Sequence, residues 1–221
     1  MKNGYLKKEW SSFLRRNEEL INKMRKRAAD IHASVCQSYD NLPYSFHTNM
    51  VANLFMQHGW VCFFDMNMEN ANASMNENGI PAVFGALFHD TIEDCRLTYN
   101  DVRKIAKEFM SDEAATLAAD IVYALTNEKG KTRDERANEK YYEGIRNTPF
   151  ASCIKLCDRY ANATYANALG TSMAKKYRSE MRDFIKHISD VDFPKPMMYI
   201  SEELYDECMS YPLGPLGDGE D

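Results

Sequence analysis

The stretch PAVFGALFHDTIED, residues 81–94, decides how this chain folds. Every residue from Ala82 to Phe88 is apolar or glycine. A helix that is apolar on all sides must be buried, so the stretch predicts a central helix that begins at Pro81. Four polar residues then crowd its end: His89, Asp90, Glu93 and Asp94. Such crowding predicts either a bound cation or a helix end that emerges into solvent at 89–94.

Helical periodicity recurs on both sides of this stretch, whereas the alternation typical of strands is scarce. Helices are predicted at 5–38 (one or two), 44–58, 98–109, 112–126, 134–147, 150–168 and 173–188. The Asn-rich segment 65–79 (DMNMENANASMNENG) predicts a surface loop or insertion. The chain is therefore predicted to be all-α. We expect N-terminal helices in 1–39 that pack on a single compact domain at 40–190, and a tail at 191–221 with one short helix at 201–209.

Composition excludes several classes of function. Hydrophobic residues make up 44% of the chain, enough for a packed core. There are 27 Lys and Arg against 33 Asp and Glu, a net charge of −6, which disfavours stable nucleic-acid binding. No apolar run approaches the roughly 20 residues that span a bilayer, so no membrane partner is expected. The first ten residues lack the apolar segment of a signal peptide, and we expect a cytoplasmic protein whose six cysteines stay reduced.

Two further polar residues stand in apolar helical segments. Asp158 lies within KLCDRYAN (155–162), with Asn162 one helical turn later on the same face. His47 lies at the start of a third predicted helix, in PYSFH (43–47). Together with His89 and Asp90 they make two imidazoles and two carboxylates, a mixed nitrogen and oxygen set suited to Mn²⁺, Fe²⁺ or Zn²⁺ rather than Ca²⁺. Their number predicts a metal site in the centre of the domain, with coordination positions left for water and substrate.

The order His … His-Asp … Asp resembles the signature of the HD-domain metal-dependent phosphohydrolases. HDTIED followed by KLCDRYAN is similar to the hydrolase domain of the RelA/SpoT alarmone enzymes and to the small alarmone hydrolases, over about residues 40–185. The resemblance implies an HD-type fold at 40–190 and Mn²⁺, or another divalent transition metal, as the ion. His47, His89, Asp90 and Asp158 would then be the metal ligands.

The same resemblance implies roles for residues beside the ligands. Glu93 and Asp94 match the catalytic acidic pair of the alarmone hydrolases, and Asn162 matches a residue that contacts the nucleotide. It also implies hydrolysis of a phosphate or pyrophosphate ester of a nucleotide, with a (p)ppGpp-type alarmone as the first candidate. Two alternatives remain: a nucleotidase or phosphatase that acts on another nucleotide, and an inactive HD domain that binds a nucleotide and signals.

The chain departs from the alarmone hydrolases at several positions. The segment 38–43 contains no cation where those enzymes carry an Arg-Lys pair that contacts substrate. Thr48 replaces the proline that usually follows the first histidine, and Tyr165 stands where the family often has threonine. The segments 124–142 and 174–184 are similar instead to a branch of stand-alone HD hydrolases common in bacteria and phages.

The positive charge that binds an anionic nucleotide must come from elsewhere in the chain. Lys131, Arg133 and Arg136 lie between the two motifs, and arginine suits bidentate phosphate binding. The alternative is a solvated helix face, because acidic residues are interleaved with them. Tyr165 is a candidate for stacking on a base, with ordinary amphipathic packing as the alternative. The predicted partner is thus a small anionic nucleotide, and a homo-oligomer is left open.

Overall fold

A computed structural model describes residues 2–189, apart from the side chains of Arg133 and Asp134. The predicted tail 191–221, with its short helix at 201–209, lies outside the described residues. The structure is all-α, as predicted. Its helices are α1 (Lys2–Arg16), α2 (Glu18–Ser34), α3 (Ser45–His58), α4 (Met68–Phe88), α5 (Thr91–Cys95), α6 (Tyr99–Ala106), α7 (Asp112–Leu125), α8 (Arg133–Arg136), α9 (Glu139–Asn147), α10 (Ala151–Ala168) and α11 (Ser172–Ile188), with a 3₁₀ helix at Gly59–Phe63.

A short antiparallel hairpin joins α2 to α3. Strands β1 (Ser38–Tyr39) and β2 (Leu42–Pro43) pair Ser38 with Pro43 and Tyr39 with Leu42. Asp40 adopts a left-handed conformation, with φ of 51°, which an Asp tolerates better than most residues. The turn places Tyr39 and the start of α3 on the same side of the domain.

Helix α4 is the centre of the core, and α1, α2, α3 and α7 all pack on it. Each residue from Gly79 to Phe88 is buried. The N-terminal helices share this core: Trp10 stacks on Phe13, and its Nε1 donates to the backbone oxygen of Met56 at 2.7 Å. Cys153 and Cys157 are buried core residues of α10. None of the helices that the structure describes is long and apolar enough to span a bilayer.

The prediction of a loop at 65–79 is wrong from residue 68 onward, because 68–79 form the N-terminal half of α4. Asn67 caps the helix, its side chain accepting from the Asn70 backbone N–H at 2.8 Å. Ala71, Met75 and Gly79 recur every four residues and are buried. This buried stripe packs on α1 and outweighs the low helix propensity of asparagine.

The predicted bounds of the central helix are also wrong at both ends. Pro81 lies inside α4 rather than at its start. Its missing N–H leaves the carbonyl of Glu77 without an intrahelical bond, a cost of about 3 kcal/mol that the burial of the surrounding apolar residues offsets. At the other end, Asp90 leaves helical geometry with φ −96° and ψ 0°, so the helix stops and α5 begins at Thr91.

The predicted helix 134–147 is two helices, α8 and α9. Asn138 interrupts it because its side chain caps α9, accepting from the Tyr141 backbone N–H at 3.1 Å. The other helices predicted between 2 and 188 are present with small shifts of their ends. Thr98 and Asp101 form a capping box at the start of α6.

The close approach of α1 to α4 gives a test of the corrected helix. A Cβ on Gly79 would lie 2.5 Å from the Phe13 ring, so Gly79→Ala must displace that ring. We expect the free energy of unfolding to fall by about 1–3 kcal/mol, as measured by urea denaturation. The matched control is Gly144→Ala in α9, where a Cβ meets nothing within 4 Å; helix propensity alone should raise stability by up to about 1 kcal/mol. An equal gain in both variants would contradict the packing of α1 on α4.

Candidate metal centre

Four polar side chains from three parts of the fold meet beneath the hairpin. His47 lies in the first turn of α3, and Asp158 lies in the middle of α10. His89 and Asp90 occupy the break between α4 and α5. The side chains of His47 and His89 are only 2% and 1% exposed. The break in the central helix therefore points two neighbouring side chains at the same place, which a continuous helix would not do.

The donor atoms of these residues face one another at short range. The Nε2 atoms of His47 and His89 lie 3.3 Å apart. Oδ2 of Asp90 lies 2.9 Å from His89 Nε2 and 3.5 Å from His47 Nε2. Oδ1 of Asp158 lies 3.3 Å from His47 Nε2 and 3.8 Å from His89 Nε2. His47, His89 and Asp90 form the tightest part of this group.

This arrangement fits a divalent transition metal. Nitrogen and oxygen ligands about 2.0–2.2 Å from one ion lie about 3.0–3.5 Å from their neighbours, close to the separations seen here. His89 Nδ1 lies 3.0 Å from the backbone oxygen of Ala86. An N–H at that position donates to the carbonyl and leaves the Nε2 lone pair directed at the other three groups. Two imidazole nitrogens that face each other at 3.3 Å need a proton or a cation between them.

Other side chains hold the two carboxylates in place. Tyr44 Oη donates to Asp90 Oδ2 at 2.6 Å. Lys155 Nζ donates to Asp158 Oδ2 at 2.8 Å, and Asn162 Nδ2 donates to Asp158 Oδ1 at 2.7 Å. Both carboxylates are thus oriented by hydrogen bonds from outside the ligand group, which is how metal-binding carboxylates are usually fixed.

The electrostatics of the site follow from this crowding of opposite charges. Burial lowers the pKa of His47, but hydrogen bonds to Asp158 and Asp90 outweigh burial and raise the pKa to about 9. Burial raises the pKa of Asp158, but the charge of Lys155 and the bond to His47 bring it below its usual range. The same balance with His89 and His47 lowers the pKa of Asp90. Both carboxylates are therefore ionised, as metal ligands must be.

Glu93 and Asp94 follow on α5 but have different surroundings. Glu93 is exposed and accepts from Asn127 Nδ2 at 2.9 and 3.0 Å. Asp94 is half-buried, and burial together with the charge of Asp90 raises its pKa. The two acidic residues are therefore not equivalent: Asp94 retains a proton to higher pH than an ordinary aspartate.

One face of the centre is covered by aromatic rings. Tyr39 stacks on His47, with ring centroids 4.9 Å apart, and its Oη donates to Asn162 Oδ1 at 2.9 Å. Tyr165 packs on Tyr39 at 4.7 Å and on Phe46 at 5.8 Å. Asn162 is thus engaged by Tyr39 and Asp158 at both ends of its amide. Tyr39, Phe46 and Tyr165 are here called the aromatic cap. Tyr165, a candidate for stacking on a base with amphipathic packing as the alternative, packs on the two other rings of the cap.

The other face opens into a cavity of about 270 Å³. Its lining includes Asp158 and Asn162 from the centre, Glu93, and three cations: Arg136, Lys155 and Arg159. The rings of Tyr141, Tyr142, Tyr177 and Phe184 form much of its remaining wall. A second cavity of about 740 Å³ adjoins it and shares Ala137, Tyr142, Arg159 and Phe184. An anionic ligand that reaches the centre from this side meets positive charge first.

The three basic residues predicted to bind substrate are placed differently. Arg136 lines the inner cavity. Lys131 is exposed and is not among the described residues that line it. Only the backbone of Arg133 is described, as the first residue of α8. Lys155 and Arg159, which flank Asp158 in the sequence, instead contribute the inner charge.

Several residues of the site carry no signal that sequence inspection detects. Tyr39 and Tyr44 are two of 13 tyrosines, and nothing local marks them as neighbours of the centre. His32 is buried, stacks on Tyr44 at 4.5 Å and leaves its Nε2 without a hydrogen-bond partner.

A scan against protein-family models and a search of curated proteins each find no match to this chain. The interpretation of the centre therefore depends on its own residues: two buried imidazoles and two ionised carboxylates that face one point beside a cavity lined with cations.

The raised pKa of His47 gives a pH dependence for metal binding. A metal ion must displace the proton that His47 holds up to a pH of about 9, so the apparent Mn²⁺ affinity should rise with pH. We expect a gain approaching about tenfold per pH unit between pH about 6.5 and 8.5, measured by isothermal titration calorimetry.

The proton on His47 weakens metal binding, but in the metal-free protein it stabilises the fold. The folded pKa exceeds the unfolded value, so the stability that His47 contributes is present below pH about 6.5 and is lost as pH rises through about 9. Thermal unfolding at a series of pH values in the presence of a chelator measures this contribution.

A Mn²⁺ affinity that does not change between pH about 6.5 and 8.5 would show that His47 is not a ligand.

Proposed function

We propose that this protein is a metal-dependent phosphohydrolase of the HD type, which acts on a phosphate or pyrophosphate ester of a small anionic nucleotide. The observation that supports this most directly is the convergence of His47, His89, Asp90 and Asp158, the last of which also lines a cavity that contains three cations. A site that served structure alone would have no need of an open side lined by Arg136 and Lys155.

The chain's own residues supply binding and orientation. Arg136 lies along the cavity wall, where a guanidinium group can bind phosphate oxygens in bidentate geometry. Arg159 lines the same wall but is buried and pairs with Glu180 at 3.4 Å, so Arg136 is the principal phosphate-binding candidate. Lys155 neutralises Asp158 and places a buried positive charge at the inner end. The aromatic cap covers the opposite face, so the cavity is the side from which we expect water and substrate to approach.

Two kinds of group would then contribute to the reaction. A divalent ion bound there, Mn²⁺ in this proposal, would lower the pKa of a water and polarise a phosphoryl oxygen. Asp94, whose pKa is raised, is suited to hold a proton and donate it to the leaving oxygen. Glu93, exposed at the cavity wall, is suited to accept a proton from the attacking water.

The substrate proposal combines the family resemblance with the shape of the site. A (p)ppGpp-type alarmone is the first candidate, and the adjoining cavities give a nucleotide room beyond the inner cavity alone. Another nucleotide is the alternative, because the aromatic cap occupies Asn162 and segment 38–43 carries no cation. An inactive nucleotide-binding domain is the third candidate, and it predicts binding without turnover.

A substrate panel separates these candidates. We expect Mn²⁺-dependent release of phosphate or pyrophosphate from at least one member of a set containing guanosine tetraphosphate, NADPH and nucleoside mono- and triphosphates. Asp90→Asn should abolish both metal binding and turnover, since it removes one charged ligand. Nucleotide binding with no turnover across the panel would favour the signalling domain, and full metal content in Asp90→Asn would contradict the site.

The cavity predicts which cations matter for the substrate that is turned over. Arg136→Ala removes a phosphate-binding group from the cavity wall, so KM should rise about tenfold with little change in kcat. Lys131→Ala is the matched control, because Lys131 lies five residues away and is exposed outside the inner cavity. Steady-state kinetics measure both. Equal effects of the two substitutions would mean that the cavity does not bind the phosphate.

A further inference from the structure

We propose that Tyr44 is a positioning residue for the metal centre: its phenol fixes the Asp90 carboxylate in the orientation that metal binding requires. The inference depends on the proposed metal site and assigns a determinant of that site's affinity to a residue outside the ligand set. It follows from the contacts of one hydroxyl group and of the ring that carries it.

The hydroxyl of Tyr44 donates a hydrogen bond to the Asp90 oxygen that faces the centre. Tyr44 Oη donates to Asp90 Oδ2 at 2.6 Å, across 46 residues of sequence. The same Oδ2 lies 2.9 Å from His89 Nε2 and 3.5 Å from His47 Nε2. The Asp90 carboxylate, which lies between α4 and α5, can rotate about its side-chain bonds. The hydrogen bond from Tyr44 holds one of its oxygens toward the two imidazoles. Without it, metal binding must also meet the entropic cost of ordering Asp90.

The ring of Tyr44 is itself held from two sides. It stacks on His32 at 4.5 Å with an angle of 24° between planes, and it contacts His47 edge-on at 5.5 Å. His32 is 1% exposed, and its Nδ1 lies 3.2 Å from Cys95 Sγ. The ring position is therefore set by packing that does not involve the hydroxyl. Removing the hydroxyl alone should leave the ring where it is.

Tyr44→Phe tests the role because it deletes only the hydroxyl and keeps the stack on His32. We expect the dissociation constant for Mn²⁺ to rise about 10- to 100-fold, as measured by equilibrium dialysis of the full chain. On whichever nucleotide the wild type hydrolyses, kcat at a fixed subsaturating Mn²⁺ concentration should fall while the KM for nucleotide stays the same. The melting temperature of the metal-free protein should change no more than in the control.

Tyr99→Phe is the matched control. Tyr99 Oη donates to Asp120 Oδ1 at 2.8 Å, a Tyr–Asp bond of the same kind between α6 and α7. We expect Mn²⁺ affinity in this variant to equal that of the wild type. An equal loss of Mn²⁺ affinity in both variants, or a loss in Tyr44→Phe matched by a large fall in melting temperature, would reduce Tyr44 to a structural residue and overturn the inference.

The outcomes also separate this inference from the proposed function. If the wild type binds Mn²⁺ and Tyr44→Phe binds it equally well, the positioning role is wrong and the metal site stands. If the wild type binds no Mn²⁺ at any pH, the metal site and the role of Tyr44 are both wrong.

Discussion

The burial of two carboxylates and two imidazoles inside an otherwise apolar core is the constraint on which the structure depends. Removing such groups from water costs several kcal/mol for each charge unless partners compensate. Here every carboxylate has them: Asp158 is held by Lys155 and Asn162, and Asp90 by Tyr44. The imidazole nitrogens and carboxylate oxygens that could ligate a metal all face the same point between the four residues. A compensated charge cluster whose remaining ligand atoms face one point is what a binding site for a cation requires.

The four side chains are brought together at the points where the fold departs from regular helix geometry. The central helix stops at Phe88, and the break at Asp90 turns two consecutive side chains inward together. The hairpin at 38–43 covers one face by placing Tyr39 on His47, which leaves the cavity as the open side. Under the proposed function, we expect substrate choice to depend on the cavity residues of α8, α9, α10 and α11 rather than on the hairpin.

The sequence was informative where a residue type conflicts with its local surroundings. His47, His89, Asp90 and Asp158 stand out because polar residues interrupt apolar helices, and the helical class follows from periodicity alone. Tertiary packing decided the rest. Asparagine and Pro81 both argue locally against helix, yet the packing of α4 on α1 overrides them. The sequence does not reveal the contact between Tyr44 and Asp90, because tyrosines are common near turns. Only folding brings Tyr44 to Asp90, 46 residues further along the chain.

The most direct test of the account is a crystal structure of the protein grown with Mn²⁺, measured at a wavelength where manganese scatters anomalously. We expect one anomalous peak per chain, about 2.0–2.3 Å from His47 Nε2, His89 Nε2, Asp90 Oδ2 and Asp158 Oδ1. We also expect the open side of the peak to face the cavity lined by Arg136. No peak among these four atoms in a chain that retains this fold, or a manganese ion bound elsewhere, would contradict the central claim.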